Sequence, residues 1–164
     1  MAEGADLVIG LGNPLRGDDG VGAWLAERAR RLRPTPQVRT VQQLTPELAD
    51  ELAQTGRVLF IDAWWPSIPT PGGMAHLPTL EPISVQSTQV GGGAFSHQLD
   101  PAQLLAITAL LHDRAPQAWQ LLVPAFAMPH GDTFSPRLLQ ELPRAEALLD
   151  GWCRGASQPA ACHA

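Results

Sequence analysis

Two carboxylates and one imidazole stand where predicted strands end. Asp19 is the second residue of an acidic pair, Asp18-Asp19, which follows the first predicted strand at the start of the first helix. Asp62 ends the third predicted strand, and His97 lies in the loop before the third long helix. Because ligands of open parallel sheets bind outside the carboxyl ends of the strands, we expect Asp19, Asp62 and His97 to meet at one edge of the sheet.

This set of side chains is suited to two kinds of chemistry. Imidazole binds nickel and zinc well and carboxylates add oxygen ligands, so the set could hold a transition metal. The same groups could instead act as general acid and base, and the residue types do not decide between these roles. Purely structural roles are the alternative: a helix cap for Asp18 or Asp19, a turn hydrogen bond for Asp62, and a solvated loop position for His97.

The elements that must position these residues alternate between strands and helices along the chain. Apolar runs predict five strands, near 6–11, 38–44, 57–63, 74–77 and 119–123. Helical periodicity and capping residues predict helices over 18–32, 45–54, 100–112 and 135–149. The pattern is typical of an α/β fold, with a twisted, mainly parallel sheet of about five strands flanked by helices on both faces. We expect one domain over residues 1–150 and a poorly structured tail over 151–164.

Composition narrows the classes of partner. The 164 residues carry a net charge of −5, 45% are hydrophobic, and all eleven basic residues are arginine. An acidic chain without a basic tract is a poor candidate for binding nucleic acid or an anionic membrane. No apolar run reaches the roughly 18 residues of a membrane span, and the N-terminus is not a signal peptide. Cys153 and Cys162 are interpreted as reduced thiols, and together with the missing signal peptide this predicts a cytoplasmic protein. We also expect a monomer.

The 15 glycines and 16 prolines concentrate around the first strand-to-helix turn and between residues 64 and 96. The turn over residues 10–17 is rich in glycine, which is a feature of phosphate-binding loops. However, Leu15 replaces the third glycine of the dinucleotide motif, and the chain has no lysine for a Walker motif. Two acids at the mouth of the helix would also repel a phosphate, so nucleotide binding is disfavoured.

Four segments together resemble one known family, the [NiFe]-hydrogenase maturation endopeptidases. The first segment runs from Gly10 to Gly22 and includes the acidic pair. The others are Phe60-Ile61-Asp62-Ala63, Ser96-His97-Gln98 before a helix, and the stretch from Gly131 to Pro136. Their order and spacing match the family over most of the chain.

The resemblance implies a function that the residue types alone leave open. Members of this family remove a C-terminal extension from the hydrogenase large-subunit precursor after nickel insertion. By position, the residues that contact the metal in the family correspond to Asp19, Asp62 and His97. The resemblance therefore implies that these three recognise the nickel carried by the substrate, that a carboxylate activates a water, and that no cofactor is permanently bound.

Two features qualify this resemblance. Many members have Asp-Gly-Gly-Thr after the second strand, where this chain has Gln42-Gln43-Leu44-Thr45. This version resembles the branch that serves soluble or bidirectional NAD-linked hydrogenases. The Trp64-Trp65 pair and the loop with Gly91-Gly92-Gly93 could form a wall that receives the substrate tail, although core packing explains the tryptophans equally well.

Two other functions compete with the peptidase. A maturation chaperone could dock on the same precursor without cutting it. A peptidyl-tRNA hydrolase also begins with a strand that leads into Gly-Leu-Gly-Asn-Pro, but its tyrosine is missing here, since the chain has none. The acidic charge is also wrong for tRNA.

Overall fold

The computed structural model describes residues 4–66, 77–84 and 98–155, which form a five-stranded sheet with helices on both faces. The strand order is β2-β1-β3-β5-β4; β4 runs antiparallel to β5, and all other neighbours are parallel. The predicted α/β fold with a mainly parallel sheet is therefore confirmed. The strands are β1 (Asp6–Leu11), β2 (Gln37–Val41), β3 (Arg57–Trp64), β4 (Thr79–Ile83) and β5 (Gln117–Pro124). The helices are η1 (3₁₀, Gly17–Gly20), α1 (Val21–Ala29), α2 (Leu48–Leu52), α3 (Pro101–His112) and α4 (Pro136–Cys153).

The sheet separates two hydrophobic cores, which explains the continuous apolar run of β3. Leu59 and Ile61 pack on one side, with buried residues of α1 and α4. Val58 and Phe60 pack on the other side, with buried residues of α2 and α3. A strand covered by helices on both faces has no solvent side, so it does not alternate between apolar and polar residues.

Three predicted boundaries need correction. The first helix opens as η1 and continues as α1, which ends at Ala29. The second helix begins at Leu48 instead of residue 45, because the chain before it forms a turn closed by i→i+3 hydrogen bonds, from the Leu48 N–H to the Thr45 carbonyl and from the Ala49 N–H to the Pro46 carbonyl. The second strand ends at Val41 instead of residue 44. The fourth strand is observed at Thr79–Ile83, and residues 74–76, where it was expected to begin, lie outside the described part of the chain.

The last helix, α4, extends beyond its predicted end at residue 149. The helix continues to Cys153, and Trp152 is fully buried. Its indole ring lies 4.5 Å from the guanidinium of Arg57, which also donates a 3.3 Å hydrogen bond to the Trp152 carbonyl. Leu149, Trp152 and Cys153 continue the spacing of three and four residues along the buried face of α4, so the helix extends as far as that face does. Residues 156–164 lie outside the described part.

No helix in the described ranges has both the length and the apolar character needed to cross a bilayer.

Candidate functional site

A cleft of about 430 Å³ opens at the carboxyl ends of β1 and β3. Its walls come from the turn that follows β1, the residues that follow β2, the end of β3, and the segment that leads into α3. We call it the strand-end cleft. Its polar lining includes the side chains of Arg16, Asp19, Gln42, Gln43, Asp62 and Asp100.

Asp19 enters the cleft from η1, and the turn before it holds its carboxylate. The backbone N–H of Asn13 donates to Asp19 Oδ2 over 2.8 Å. Gly12 has a φ of +113°, and a Cβ at that position would lie 2.2 Å from the Asp19 carbonyl oxygen. Only glycine satisfies both constraints. The glycine-rich turn thus presents the Asp19 carboxylate at the strand end.

Close packing of α1 on the sheet brings Asp19 towards Asp62. A Cβ on Gly22, at the start of α1, would lie 2.4 Å from the Leu11 carbonyl oxygen and 2.5 Å from that of Ile61. The missing side chain therefore lets the helix start rest directly on the ends of β1 and β3. Asp19 and Asp62 consequently line the same cleft.

The surroundings of Asp62 change its acidity. Burial raises the pKa of its carboxyl group, the negative charge of Asp19 raises it further, and a hydrogen bond with the Ala63 backbone acts in the opposite direction; the resulting pKa is about 6. A carboxylic acid with a pKa near neutrality can exchange a proton at physiological pH. Asp62 is therefore suited to proton transfer, and also to binding a cation that relieves its repulsion from Asp19.

The third predicted site residue, His97, lies outside the described residues. The next four positions, 98–101, all line the strand-end cleft. Across the ranges 4–66, 77–84 and 98–155, no group of three or more His, Cys, Asp and Glu side chains is arranged to hold a metal ion. The structure thus brings together Asp19 and Asp62, while the role of His97 stays a prediction.

The neighbouring acid, Asp18, has a role that the sequence did not reveal. Its side chain is fully buried and makes no capping hydrogen bond to either η1 or α1, so it is not a helix cap. Instead, its carboxylate accepts hydrogen bonds from the backbone N–H groups of Phe126, Ala127 and Ser135, and from the Ser135 hydroxyl, over 2.7–3.0 Å. Asp18 therefore fixes η1 to the chain between β5 and α4.

The tryptophan pair expected to form a wall for the substrate tail does not line the strand-end cleft. Neither Trp64 nor Trp65 is among the described residues that line the cleft, although the Trp65 side chain is 54% exposed. The glycines at 91–93 lie outside the described part of the chain. The cleft is lined instead by three residues for which the sequence predicted no place in the site: Arg16, Gln42 and Gln43.

Comparison with known proteins extends the likeness to the whole fold. No protein-family model and no curated protein matches the sequence. Among solved structures, the [NiFe] hydrogenase maturation protease HycI from Thermococcus kodakarensis superposes with a TM-score of 0.65 at 18% identity, covering 92% of this chain and 90% of that one. The hydrogenase-maturating endopeptidase HybD from E. coli gives a TM-score of 0.67 at 16% identity, covering 93% of both chains. HybD from T. kodakarensis gives 0.66 at 16% identity, covering 91% of this chain and 99% of that one. The chain therefore has the fold of the [NiFe] hydrogenase maturation proteases.

Proposed function

We propose that this protein is an endopeptidase that removes the C-terminal extension from a [NiFe]-hydrogenase large-subunit precursor after nickel insertion. The observation that carries the proposal is the pairing of Asp19 and Asp62 in the strand-end cleft, with the pKa of Asp62 raised to about 6. Likeness to maturation proteases over 93% of the chain supports the reaction class. We further propose that the protein acts as a cytoplasmic monomer, and that its substrate belongs to the soluble or NAD-linked hydrogenases.

The carboxylate pair gives the nickel of the substrate a place to bind. Two negative charges in a partly buried site repel each other, and a divalent cation removes that repulsion. Carboxylates supply oxygen ligands and imidazole a nitrogen ligand, so Asp19, Asp62 and His97 would complete the coordination of a metal brought in by the precursor. The nickel is part of the substrate, and we propose no permanently bound cofactor.

The same pair can support hydrolysis of the peptide bond. In its ionised form, an Asp carboxylate in the cleft accepts a proton from a water molecule, whose oxygen attacks the scissile carbonyl carbon. The bond to nitrogen then breaks, and the leaving amine takes up the proton. We assign no side chain as a covalent nucleophile.

The test compares nickel-loaded and nickel-free precursor after incubation with the protein, with the products weighed by mass spectrometry. We expect release of a C-terminal peptide from the loaded precursor only. A stable complex with intact loaded precursor would instead establish a chaperone that does not cut.

Substitutions in the same assay test the site. We expect Asp19→Asn, Asp62→Asn and His97→Ala each to slow processing by about a hundredfold or more, the usual size of an acid–base contribution. Asp113→Asn is the matched control, since Asp113 is exposed and follows the far end of α3 from the cleft. Wild-type rates in the three site variants would refute the assignment.

A further inference from the structure

Arg16 lies on a rigid part of the strand-end cleft, although its side chain is exposed. The backbone on both sides of it is bonded to Gly131: the Gly17 N–H donates to the Gly131 carbonyl over 2.9 Å, and the Gly131 N–H donates to the Leu15 carbonyl over 2.8 Å. The Arg16 carbonyl accepts a 3.1 Å hydrogen bond from the Asp19 N–H. Arg16 and Asp19 are therefore held in one turn, three residues apart.

The guanidinium of Arg16 makes no hydrogen bond or ion pair with any residue that the structure describes. By contrast, Arg39 and Arg57 form ion pairs with Glu51 and Asp6. Three carboxylates, of Asp19, Asp62 and Asp100, line the same cleft as Arg16 without forming an ion pair with it. An exposed arginine whose backbone is held at the edge of a site, and whose side-chain donors are unused, is available to a ligand.

The cleft therefore presents charges of both signs. Asp19 and Asp62 are partly buried and favour a cation, whereas Arg16 is exposed and is the one basic side chain among the described residues lining the cleft. The planar guanidinium binds a carboxylate through two parallel hydrogen bonds. A peptide with a metal at one point and a carboxylate at another would bind in a single orientation.

The cleft also has groups suited to a peptide backbone. Gln42 and Gln43 are exposed, line the cleft, and make no side-chain hydrogen bond to the part of the chain that is described. A glutamine amide can both donate to a peptide carbonyl and accept from a peptide N–H. The occupant that fits these groups together is an extended peptide segment.

We infer that Arg16 binds a carboxylate of the peptide substrate and thereby sets its orientation and position in the cleft; this inference rests on the proposed function. The carboxylate belongs either to an acidic side chain near the scissile bond or to the C-terminus of the extension. Arg16 acts in substrate binding, and the proton transfers remain with the aspartates.

The test measures kcat and KM for processing of nickel-loaded precursor by wild-type protein, Arg16→Gln and Arg16→Lys. We expect Arg16→Gln to raise KM about tenfold with kcat within about twofold, as expected for loss of one charged hydrogen-bonded contact. Arg16→Lys keeps the positive charge but cannot donate two parallel hydrogen bonds to a carboxylate, so its KM should lie between those of wild type and Arg16→Gln. Arg31→Gln is the control, because Arg31 is an exposed arginine just past the end of α1, outside the cleft lining.

Two altered precursors identify the source of the carboxylate. One has the acidic side chains of its C-terminal region replaced by amides, and the other carries a C-terminal amide. Wild-type protein should have a higher KM for one of these two precursors than for the unaltered precursor. With that precursor, Arg16→Gln should have the same KM as wild type, because the carboxylate that Arg16 binds is already gone. Two results would overturn the inference: a KM for Arg16→Gln equal to that of wild type, or a rise in KM on Arg16→Gln that is the same with both altered precursors as with the unaltered one. Cleavage by wild-type protein would still support the peptidase in either case. If wild-type protein cleaves no precursor, the proposed function fails and this inference fails with it.

Discussion

The carboxyl groups of Asp18 and Asp62 have different surroundings. Asp18 accepts four hydrogen bonds, which occupy its oxygens and hold it in place. Asp62 is desolvated, faces the charge of Asp19, and has a pKa raised to about 6. The first arrangement stabilises the fold, whereas the second leaves a carboxylate poorly satisfied until a proton or a cation binds it.

The raised pKa of Asp62 predicts that the ionised carboxylate lowers the unfolding free energy of the protein at neutral pH. Its pKa is higher in the folded protein than the ordinary aspartate value of 3.8, so the native state binds the proton more tightly than the unfolded chain does. The unfolding free energy therefore falls as pH rises from about 4 to about 6. We expect Asp62→Asn to be more stable than wild type by about 2 kcal/mol at pH 8, with most of that difference gone at pH 4. Urea unfolding at both pH values measures it, and a difference independent of pH would contradict the assignment.

Asp18→Asn should have the opposite effect. The amide nitrogen of asparagine would face backbone N–H donors, so at least one buried donor would lose its acceptor. We expect a loss of about 3 kcal/mol in unfolding free energy, measured by urea unfolding at pH 7. Asp113→Asn, at an exposed position, should change it by less than about 0.5 kcal/mol. An Asp18→Asn variant as stable as wild type would show that the four bonds contribute little.

At the scale of elements, the start of α1 determines the geometry of the site. Gly22 allows the helix to contact the carbonyl groups that end β1 and β3. The backbone cannot yield locally, since Leu11 and Ile61 lie within a paired sheet. Any side chain at position 22 must therefore move the helix, and η1 with it.

Gly22→Ala is expected to disturb both stability and the site. The added methyl group would displace α1 from the sheet, and we expect a loss of about 2 kcal/mol in unfolding free energy. Moving Asp19 away from Asp62 would remove part of the charge repulsion, so the pKa of Asp62 should fall. Carboxyl-carbon NMR titration measures that pKa. An unchanged pKa would mean that the helix position does not control the carboxylate pair.

The sequence predicted those parts of the fold that depend on local patterns. Asp100-Pro101 and Ser135-Pro136 predicted two helix starts correctly, because a capping side chain and the backbone N–H that donates to it are only three residues apart. Strand ends and a family motif both indicated Asp19 and Asp62, and the two residues line one cleft, while their role stays a prediction. The partners of Asp18 could not be found in this way, since they lie 108–117 residues away in sequence. Arg16 was missed because its place in the cleft depends on the link to Gly131.

At the scale of the whole molecule, the end of α4 secures the amino ends of the strands, opposite the cleft. Arg57, at the start of β3, forms an ion pair with Asp6 and lies near the rings of Trp119 and Trp152. The cluster joins β1, β3, β5 and the last helix. It closes the core at the end of the sheet opposite the strand-end cleft.

Trp152→Ala should therefore destabilise the protein without changing the site. Loss of a fully buried indole ring is expected to cost about 4 kcal/mol in unfolding free energy. Leu139→Ala in the same helix is the control, since that side chain is 52% exposed and should contribute less than about 1 kcal/mol. Thermal and urea unfolding compare the two. An equal loss of unfolding free energy in Trp152→Ala and Leu139→Ala would contradict the placement of α4. The kcat of the folded fraction of Trp152→Ala should match that of wild type.

The hydrogen bonds of Asp18 also have a consequence for the order in which the protein matures. A chain emerging from the ribosome releases residues 12–20 early, but the partners of Asp18 lie between residues 126 and 135. Until that segment emerges, the Asp18 carboxylate has only water as a partner, and the turn that carries Asp19 and Arg16 is held only by its local hydrogen bonds and by the bond of Gly12 to β2. Contacts between such distant parts of a chain form late in folding. The full set of bonds that joins the turn to the segment before α4 can therefore form only after residue 135 has been synthesised.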